Sequence, residues 1–257
     1  MTLRFAVPSK GRLKEQVEGF FAEAGFRIEP LGGARGYFAR IFGLPDVEVR
    51  LLSAGEIASG VISGDIHAGV TGEDLLREQA GDLERVVHLL APLGFGRADL
   101  VVAVPKSWLD VETMADIDDV GGRLEARTGR KLRVATKYVR STRRFFTAEG
   151  VGHYRIVESA GATEGAPAAG VADIVVDITT TGATLASNGL KIVADGVIVA
   201  SEANVAASLS AAWTPASLVA FRSLIMAIAT KIPHAVGRFE RFESALKAQG
   251  KPLNHGD

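Results

Sequence analysis

The chain has 257 residues, no cysteine, and 29 basic against 30 acidic side chains, a formal net charge of −1. Without cysteine there is no disulfide, thiolate metal site or thiol nucleophile, and balanced charge without clustered base leaves no nucleic-acid footprint. A chain of this size buries roughly 70–75% of the surface its unfolded form exposes, enough for one large domain or two ordinary ones. No apolar run reaches the ~20 residues a membrane span needs. Residues 1–10 form a short apolar strand followed at once by polar residues, not the longer apolar region of a signal peptide. A cytoplasmic location is expected, with neither membrane nor nucleic acid as partner.

In chain order, strands alternate with amphipathic helices, the pattern of parallel α/β layers. Residues 3–7 read as a buried strand. Leu13, Val17, Phe20, Phe21 and Ala24 share one helical face, which Gly25 can end. Residues 47–52 alternate as a strand, 56–62 read as a helix, 68–71 as a buried strand and 73–79 as a helix start. Residues 100–104 are strongly β, and Pro105 marks a boundary. A second unit follows, with strands at 132–135, 154–157, 174–177 and 190–193. Ser141 is the expected cap of a helix over 142–149, and another helix starts within 182–188. The tail carries two apolar stripes, Leu218, Phe221, Leu224, Ile225 and Ile228, then Val236, Phe239, Phe242 and Leu246. The expectation is two α/β lobes with a cleft between them. One lobe takes 1–103 plus 196–257 and the other 104–195.

The most informative stretch is Asp177-Ile-Thr179-Thr180-Thr181-Gly182-Ala183-Thr184, directly after the apolar strand. Helix N-termini offer unpaired N–H groups and a positive dipole end, so they bind anions. Gly182 permits close backbone approach, and the four threonines add donors. Asp177 suits ribose hydroxyls or a Mg2+ held between ligand and protein, not a phosphate. A threonine-capped helix with no ligand is the alternative reading. Near the start, Lys10-Gly11-Arg12 presents two cations on a glycine turn at a helix start, which suits a polyphosphate; a solvated basic turn is the alternative reading. Thr71 and Gly72, between a short strand and a helix, offer a further phosphate position. Lys137 ends a strand, and Arg143 is placed in a helix's first turn, where a cation opposes the dipole unless an anion lies between. Glu164 either points into the cleft or caps a turn. The five histidines, 67, 88, 153, 234 and 255, show no metal spacing, and His67 reads as structural.

The Asp177–Thr184 stretch resembles the loop that binds phosphoribosyl pyrophosphate (PRPP) in phosphoribosyltransferases. Extended through Asn188-Gly189-Leu190, it resembles ATP phosphoribosyltransferase specifically. Lys10-Gly11-Arg12-Leu13, Gly64-Asp65 through Leu75, the segment 93–105, Thr136-Lys137-Tyr138, Thr142-Arg143-Arg144-Phe145 and Glu164-Gly-Ala-Pro167 are similar to segments of the same family. The resemblance implies a periplasmic-binding-protein-like (type II) two-lobed architecture. It also implies transfer of phosphoribosyl from PRPP to N1 of ATP, with loss of pyrophosphate, as the first step of histidine biosynthesis. Asp177 then contacts the ribose, and Thr180, Thr181, Gly182, Ala183 and Thr184 hold the 5′-phosphate. Lys10, Arg12 and Lys137 offset negative charge. Mg2+ arrives on PRPP and no metal is bound by protein ligands alone. Where many members carry an arginine facing the pyrophosphate, this chain reads Ser53-Ala-Gly-Glu56, and Arg35 or Arg50 are the replacements. The resemblance is to the short form, which implies a homodimer and a regulatory subunit resembling histidyl-tRNA synthetase. The competing reading is a non-catalytic two-lobed solute-binding module, which shares the Gly-x-x-Asp pattern but needs no Thr-Gly-x-Thr loop.

Overall fold

A computed structural model describes residues 2–31, 36–159 and 161–250. The chain divides into two compact units. The first takes residues up to Gly96 and from Glu202 onward, and the second is Arg97–Ser201.

The first unit begins with β1 (Leu3–Pro8), α1 (Gly11–Glu23), β2 (Ile28–Leu31), β3 (Phe38–Ile41), β4 (Leu44–Leu52) and α2 (Ala54–Ser63). It continues through β5 (Ala68–Gly72), α3 (Glu73–Gln79), α4 (Leu83–Val86) and β6 (Val87–Pro92). The second unit holds β7 (Asp99–Pro105), α5 (Met114–Thr128), β8 (Leu132–Thr136), α6 (Val139–Ala148), β9 (Tyr154–Glu158) and β10 (Ile174–Thr179). It ends with α7 (Ala183–Ser187) and β11 (Leu190–Val199), after which β12 (Ala203–Ser208), α8 (Pro215–Ile228) and α9 (Ala235–Ala248) rejoin the first unit.

The seven-stranded sheet runs β2-β3-β4-β1-β5-β12-β6 and the five-stranded sheet β11-β7-β10-β8-β9. Both repeat one scheme. In the first, β1 pairs in parallel with β4 and β5, and β12 lies antiparallel between β5 and β6. In the second, β8 pairs in parallel with β9 and β10, and β7 lies antiparallel between β10 and β11. Each unit thus takes one strand from just beyond the point where the chain crosses over, as in the expected type II class.

The expected division after 103 and after 195 cuts two strands. β7 pairs along its length with β10 and β11, and β11 continues past its bulge to Val199. Both strands therefore stay whole in the second unit, which ends at Ser201.

Apolar side chains cover both faces of the first sheet. Leu3, Phe5 and Val7 point to the core made with α1, α8 and α9, while Ala6 joins Ile57, Val61 and Leu76 on the opposite side. Burial on both faces explains why β1, apart from the partly buried Arg4, is apolar on consecutive residues and does not alternate. A ring cluster of Trp213, Phe221, Phe239 and Phe242 fastens α8 to α9, with Trp213 and Phe242 centroids 5.2 Å apart. Thr214 opens α8 through a capping box with Ser217, which stabilises the helix start by about 1 kcal/mol. His67 is fully buried. Its Nδ1 accepts the Arg4 N–H at 3.0 Å, so Nε2 carries the proton and donates to the Ala212 carbonyl at 3.1 Å. It is a structural histidine, and burial pushes its pKa down.

One expected helix start moves. The hydroxyl of Thr136 accepts the Tyr138 N–H at 2.9 Å. This turns the chain early, so α6 begins at Val139 with Tyr138 as its N-cap. Ser141 therefore lies inside the first turn and does not cap it, and Arg143 falls in the second turn.

Candidate active site

The site is built on β10, which lies between β7 and β8 in the second sheet. Ile174, Val175 and Val176 are fully buried, so the strand is held by packing on both sides. β10 runs parallel to β8 with Ile174 opposite Val134 and Val175 opposite Ala135. Continuing that register sets Asp177 level with Lys137. Parallel strands end on the same sheet edge, the usual ligand position in open α/β sheets.

Asp177 is partly buried there. Burial raises its carboxyl pKa above the usual carboxylate range, and the charge of Glu164 adds to this. The Ile178 N–H, donated at 2.8 Å, and the Lys137 ammonium act against it. Lys137 is exposed, with Nζ 5.3 Å from the centroid of the buried Tyr138 ring. Glu164 lies in the short 3-10 turn Thr163–Gly165. Two carboxylates and one ammonium therefore share one electrostatic environment at the strand ends. Arg143 and Arg144 are both exposed on α6.

Beyond β10 the chain makes a tight loop into α7. Gly182 is its N-cap at φ +75°, a left-handed conformation that costs a residue with a Cβ about 1–2 kcal/mol. The Thr179 hydroxyl accepts the Gly182 N–H at 2.8 Å, and the Thr181 hydroxyl accepts the Ala183 N–H at 3.4 Å. The Thr180 hydroxyl donates to the Arg97 carbonyl at 3.0 Å. Thr180, Thr181, Ala183 and Thr184 are exposed, whereas Leu185 is buried and anchors the helix. The expected loop residues are thus together on one exposed turn, with their side chains partly engaged in shaping it.

The first unit carries the remaining candidates. Lys10 is the N-cap of α1 and makes no side-chain cap bond. Gly11 has φ +76°, and Lys10, Gly11 and Arg12 are all exposed. Lys10 lies close enough to Glu56 to help hold that carboxylate's pKa down, after the larger effect of its hydrogen bonds with Ser53. Ser53 and Glu56 form a reciprocal capping box on α2. This fixes a helix start where the resemblance implies an arginine. Of the replacements, Arg50 pairs with Glu48 at 2.8 Å, and Arg35 lies outside the described residues.

Thr71 departs from expectation. It is fully buried and its hydroxyl donates to the Ala54 carbonyl at 2.8 Å. That bond docks α2 onto β5, so the side chain faces the interior and not a ligand. Gly72 is partly exposed and serves as the N-cap of α3.

Sequence reasoning passes over Lys106. Its ammonium donates to the Ala186 carbonyl of α7 at 3.2 Å. The only advance signal is a lysine directly after the strand that ends at Pro105. A cavity of about 620 Å³ also lies in the second unit, lined by Trp108, Val111, Leu124, Arg127, Arg130 and neighbours. None of the expected site residues lines it. The strand-end cluster is the better candidate, because it combines loop N–H groups, hydroxyls and charges at parallel strand ends.

Comparisons with known proteins bear on the family and the fold. A family model described as HisG, ATP phosphoribosyltransferase, matches residues 53–234. An ATP phosphoribosyltransferase of Caulobacter vibrioides (strain NA1000 / CB15N) is 65% identical over 227 residues, covering 88% of this chain and 71% of that protein. One from Rhodopseudomonas palustris (strain BisA53) is 57% identical over 249 residues, covering 95% and 77%. Among solved structures, the ATP phosphoribosyl transferase (HisG:HisZ) complex from Thermotoga maritima matches with a TM-score of 0.62 at 24% identity, covering 93% of this chain and all of that one. That likeness speaks for the fold. With the family model spanning most of the chain and relatives above half identity, the chain belongs to the ATP phosphoribosyltransferase family.

Proposed function

We propose that the loop Thr179–Thr184 receives the 5′-phosphate of PRPP and that Asp177 orients its ribose, within the activity of the family. That activity is transfer of the phosphoribosyl group from PRPP to N1 of ATP in histidine biosynthesis. The observation that carries the residue assignment is the arrangement at the end of β10: a half-buried carboxylate, a glycine at positive φ and exposed threonines on one turn.

The chemistry asks for positioning more than for proton abstraction. The lone pair of adenine N1 attacks C1 of the ribose, and the bond from C1 to pyrophosphate oxygen breaks with its electrons leaving on pyrophosphate. The cationic adenine then sheds a proton from its exocyclic amine. Holding both reactants in place and offsetting the departing charge are the protein's contributions. Lys137 lies beside Asp177, and Lys10 and Arg12 on the first unit add positive charge for polyphosphate. Thr71 is not carried forward as a phosphate donor, whereas Gly72 and Glu164 remain candidate contacts.

A Mg2+ carried by PRPP would offset the negative charge that develops on the departing pyrophosphate. Mg2+ keeps several waters and takes one or two carboxylates beside substrate phosphates. Asp177 and Glu164 supply that number of carboxylates. Among the described residues there is no group of three or more side chains that could hold a metal by themselves.

The Thermotoga structure is of a HisG:HisZ complex. We extend such an association to this chain, as a homodimer joined to a regulatory subunit resembling histidyl-tRNA synthetase, in the cytoplasm. No helix among the described residues is long and apolar enough to cross a membrane. The solute-binding alternative leaves the threonine loop unexplained.

Calorimetric titration with PRPP and Mg2+ tests the site, because binding does not require the regulatory partner. Wild type should saturate, and Ala183→Asp, which sets a carboxylate against the phosphate, should lose binding. Pyrophosphate release on adding ATP then identifies the acceptor. Unchanged PRPP affinity in the variant rejects the loop as the phosphate site.

A further inference from the structure

The phosphate loop is also held from its far side. Helix α7 starts in the loop and ends in carbonyls that meet the segment following β7. Lys106 donates its ammonium to the Ala186 carbonyl at 3.2 Å and its backbone N–H to the Gly189 carbonyl at 2.8 Å. Lys191, on β11 just past α7, reciprocates by donating its ammonium to the Leu109 carbonyl at 3.3 Å. Two lysines thus clasp the turn after β7 to the turn after α7.

The base of the clasp is firm. β7 is paired on both sides, with β10 and with β11, and Leu100, Val102, Ala103 and Val104 are fully buried. The loop at the other end of α7 is less constrained. Its internal bonds include one at 3.4 Å, and most of its residues are exposed. A helix this short has little rigidity of its own. A cation on its last carbonyls also complements an anion at its first residues.

We propose that Lys106 is a positioning residue for PRPP. By holding α7 at its C-terminal end it keeps the Thr179–Thr184 loop in the shape that receives the 5′-phosphate. It acts through α7 and not on the substrate. This rests on the assignment of the loop to PRPP.

The test compares PRPP and ATP affinities by calorimetry in wild type, Lys106→Met, Lys106→Arg and Thr181→Val, with the melting temperature of each. Methionine keeps the apolar stem and removes the donor. Lys106→Met should weaken PRPP roughly two- to fivefold, as expected for a cation at an exposed helix end. ATP affinity should be unchanged and the melting temperature nearly so, and Lys106→Arg should recover most of the loss. Equal weakening of both ligands, a loss that tracks melting temperature, or no effect on PRPP overturns the inference. Thr181→Val separates the two readings. If it weakens PRPP while Lys106→Met does not, the loop assignment stands and the clasp falls. If neither affects PRPP, the loop assignment itself falls.

Discussion

Asp177 is placed where ligand contact and stability pull apart. Burial is the largest influence on its carboxyl and raises the pKa, with Glu164 in the same direction. A raised folded pKa means the folded state takes up a proton more readily than the unfolded chain. The stabilising contribution is therefore complete below the unfolded value of about 3.9 and is lost as pH rises through the folded value. At pH 7 the ionised group is a net cost to folding. Asn keeps an oxygen to accept the Ile178 N–H and removes the charge. Asp177→Asn should thus melt higher than wild type at pH 7, with the difference shrinking toward pH 4, and should bind PRPP more weakly. Melting curves across that range check the first part, and a variant less stable than wild type at pH 7 contradicts it. The identity of Asp177 was legible in the sequence because a carboxylate closing an apolar strand is unusual. Its raised pKa was not, since this depends first on burial and then on the charge of Glu164, both of which exist only in the folded chain.

At the scale of elements, the strand-to-loop-to-helix unit β10–α7 is the part most plainly written in sequence, because strand, glycine and helix start are contiguous. Gly182 at φ +75° meets only the Ile192 side chain, 3.8 Å from where a Cβ would lie. A methyl group therefore fits, and the obstacle is the backbone conformation. Gly182→Ala should cost about 1–2 kcal/mol of stability and weaken PRPP by shifting the loop. Chemical denaturation and PRPP titration measure the two effects, and a neutral variant would mean the loop does not need its left-handed residue. Other elements were hidden for physical reasons. β12 is Ala-Asn-Val-Ala-Ala-Ser, entirely buried, so it shows no alternation and, with Val205 alone, few of the branched residues that mark strands. Helix α5 carries Gly121 and Gly122 in its interior, which argue against a helix locally. Gly121 is needed there because a Cβ would come within 3.0 Å of His153. The capping box of Thr113 and Asp116 was the available signal for that helix. The pairing of β2 with β3 adjoins residues 32–35, outside the described residues, and neither strand is long.

For the whole molecule, the alternation of strands and helices made the α/β class and a two-unit plan readable. The boundaries were not, because Pro105 looks in sequence like a break between units, although the strand before it belongs to the second, and β11 looks like a strand that ends at Val193. Which strands pair is a tertiary fact. The two units also have different cores. The first has the cluster of Trp213, Phe221, Phe239 and Phe242. The cluster on one face of the second sheet is made of smaller side chains such as Ala103, Ala135, Val175 and Leu185. The second unit depends more on a polar fastening at Asp173, whose side chain is 12% exposed. Burial alone would raise its pKa. The bidentate Arg130 pair at 2.7 and 3.1 Å, the Arg133 side chain and the Arg133 N–H at 2.8 Å outweigh this and hold it at about 2. A lowered folded pKa gives stability that is present above about pH 4 and lost as pH falls through 2. Asp173→Ala should therefore cost about 2 kcal/mol at pH 7, and more if Arg133 is left unpaired. The fastening joins β8 to the entry of β10, the two strands whose far ends carry Lys137 and Asp177. Stability is not uniform within a protein, so the loss should appear locally. In native-state hydrogen exchange, amides of β8 and β10 should exchange faster in the variant, while those of β1 and β5 keep their protection. Equal acceleration in both sets would mean that the two units open as one, and the separate cores would then not confer separate stability.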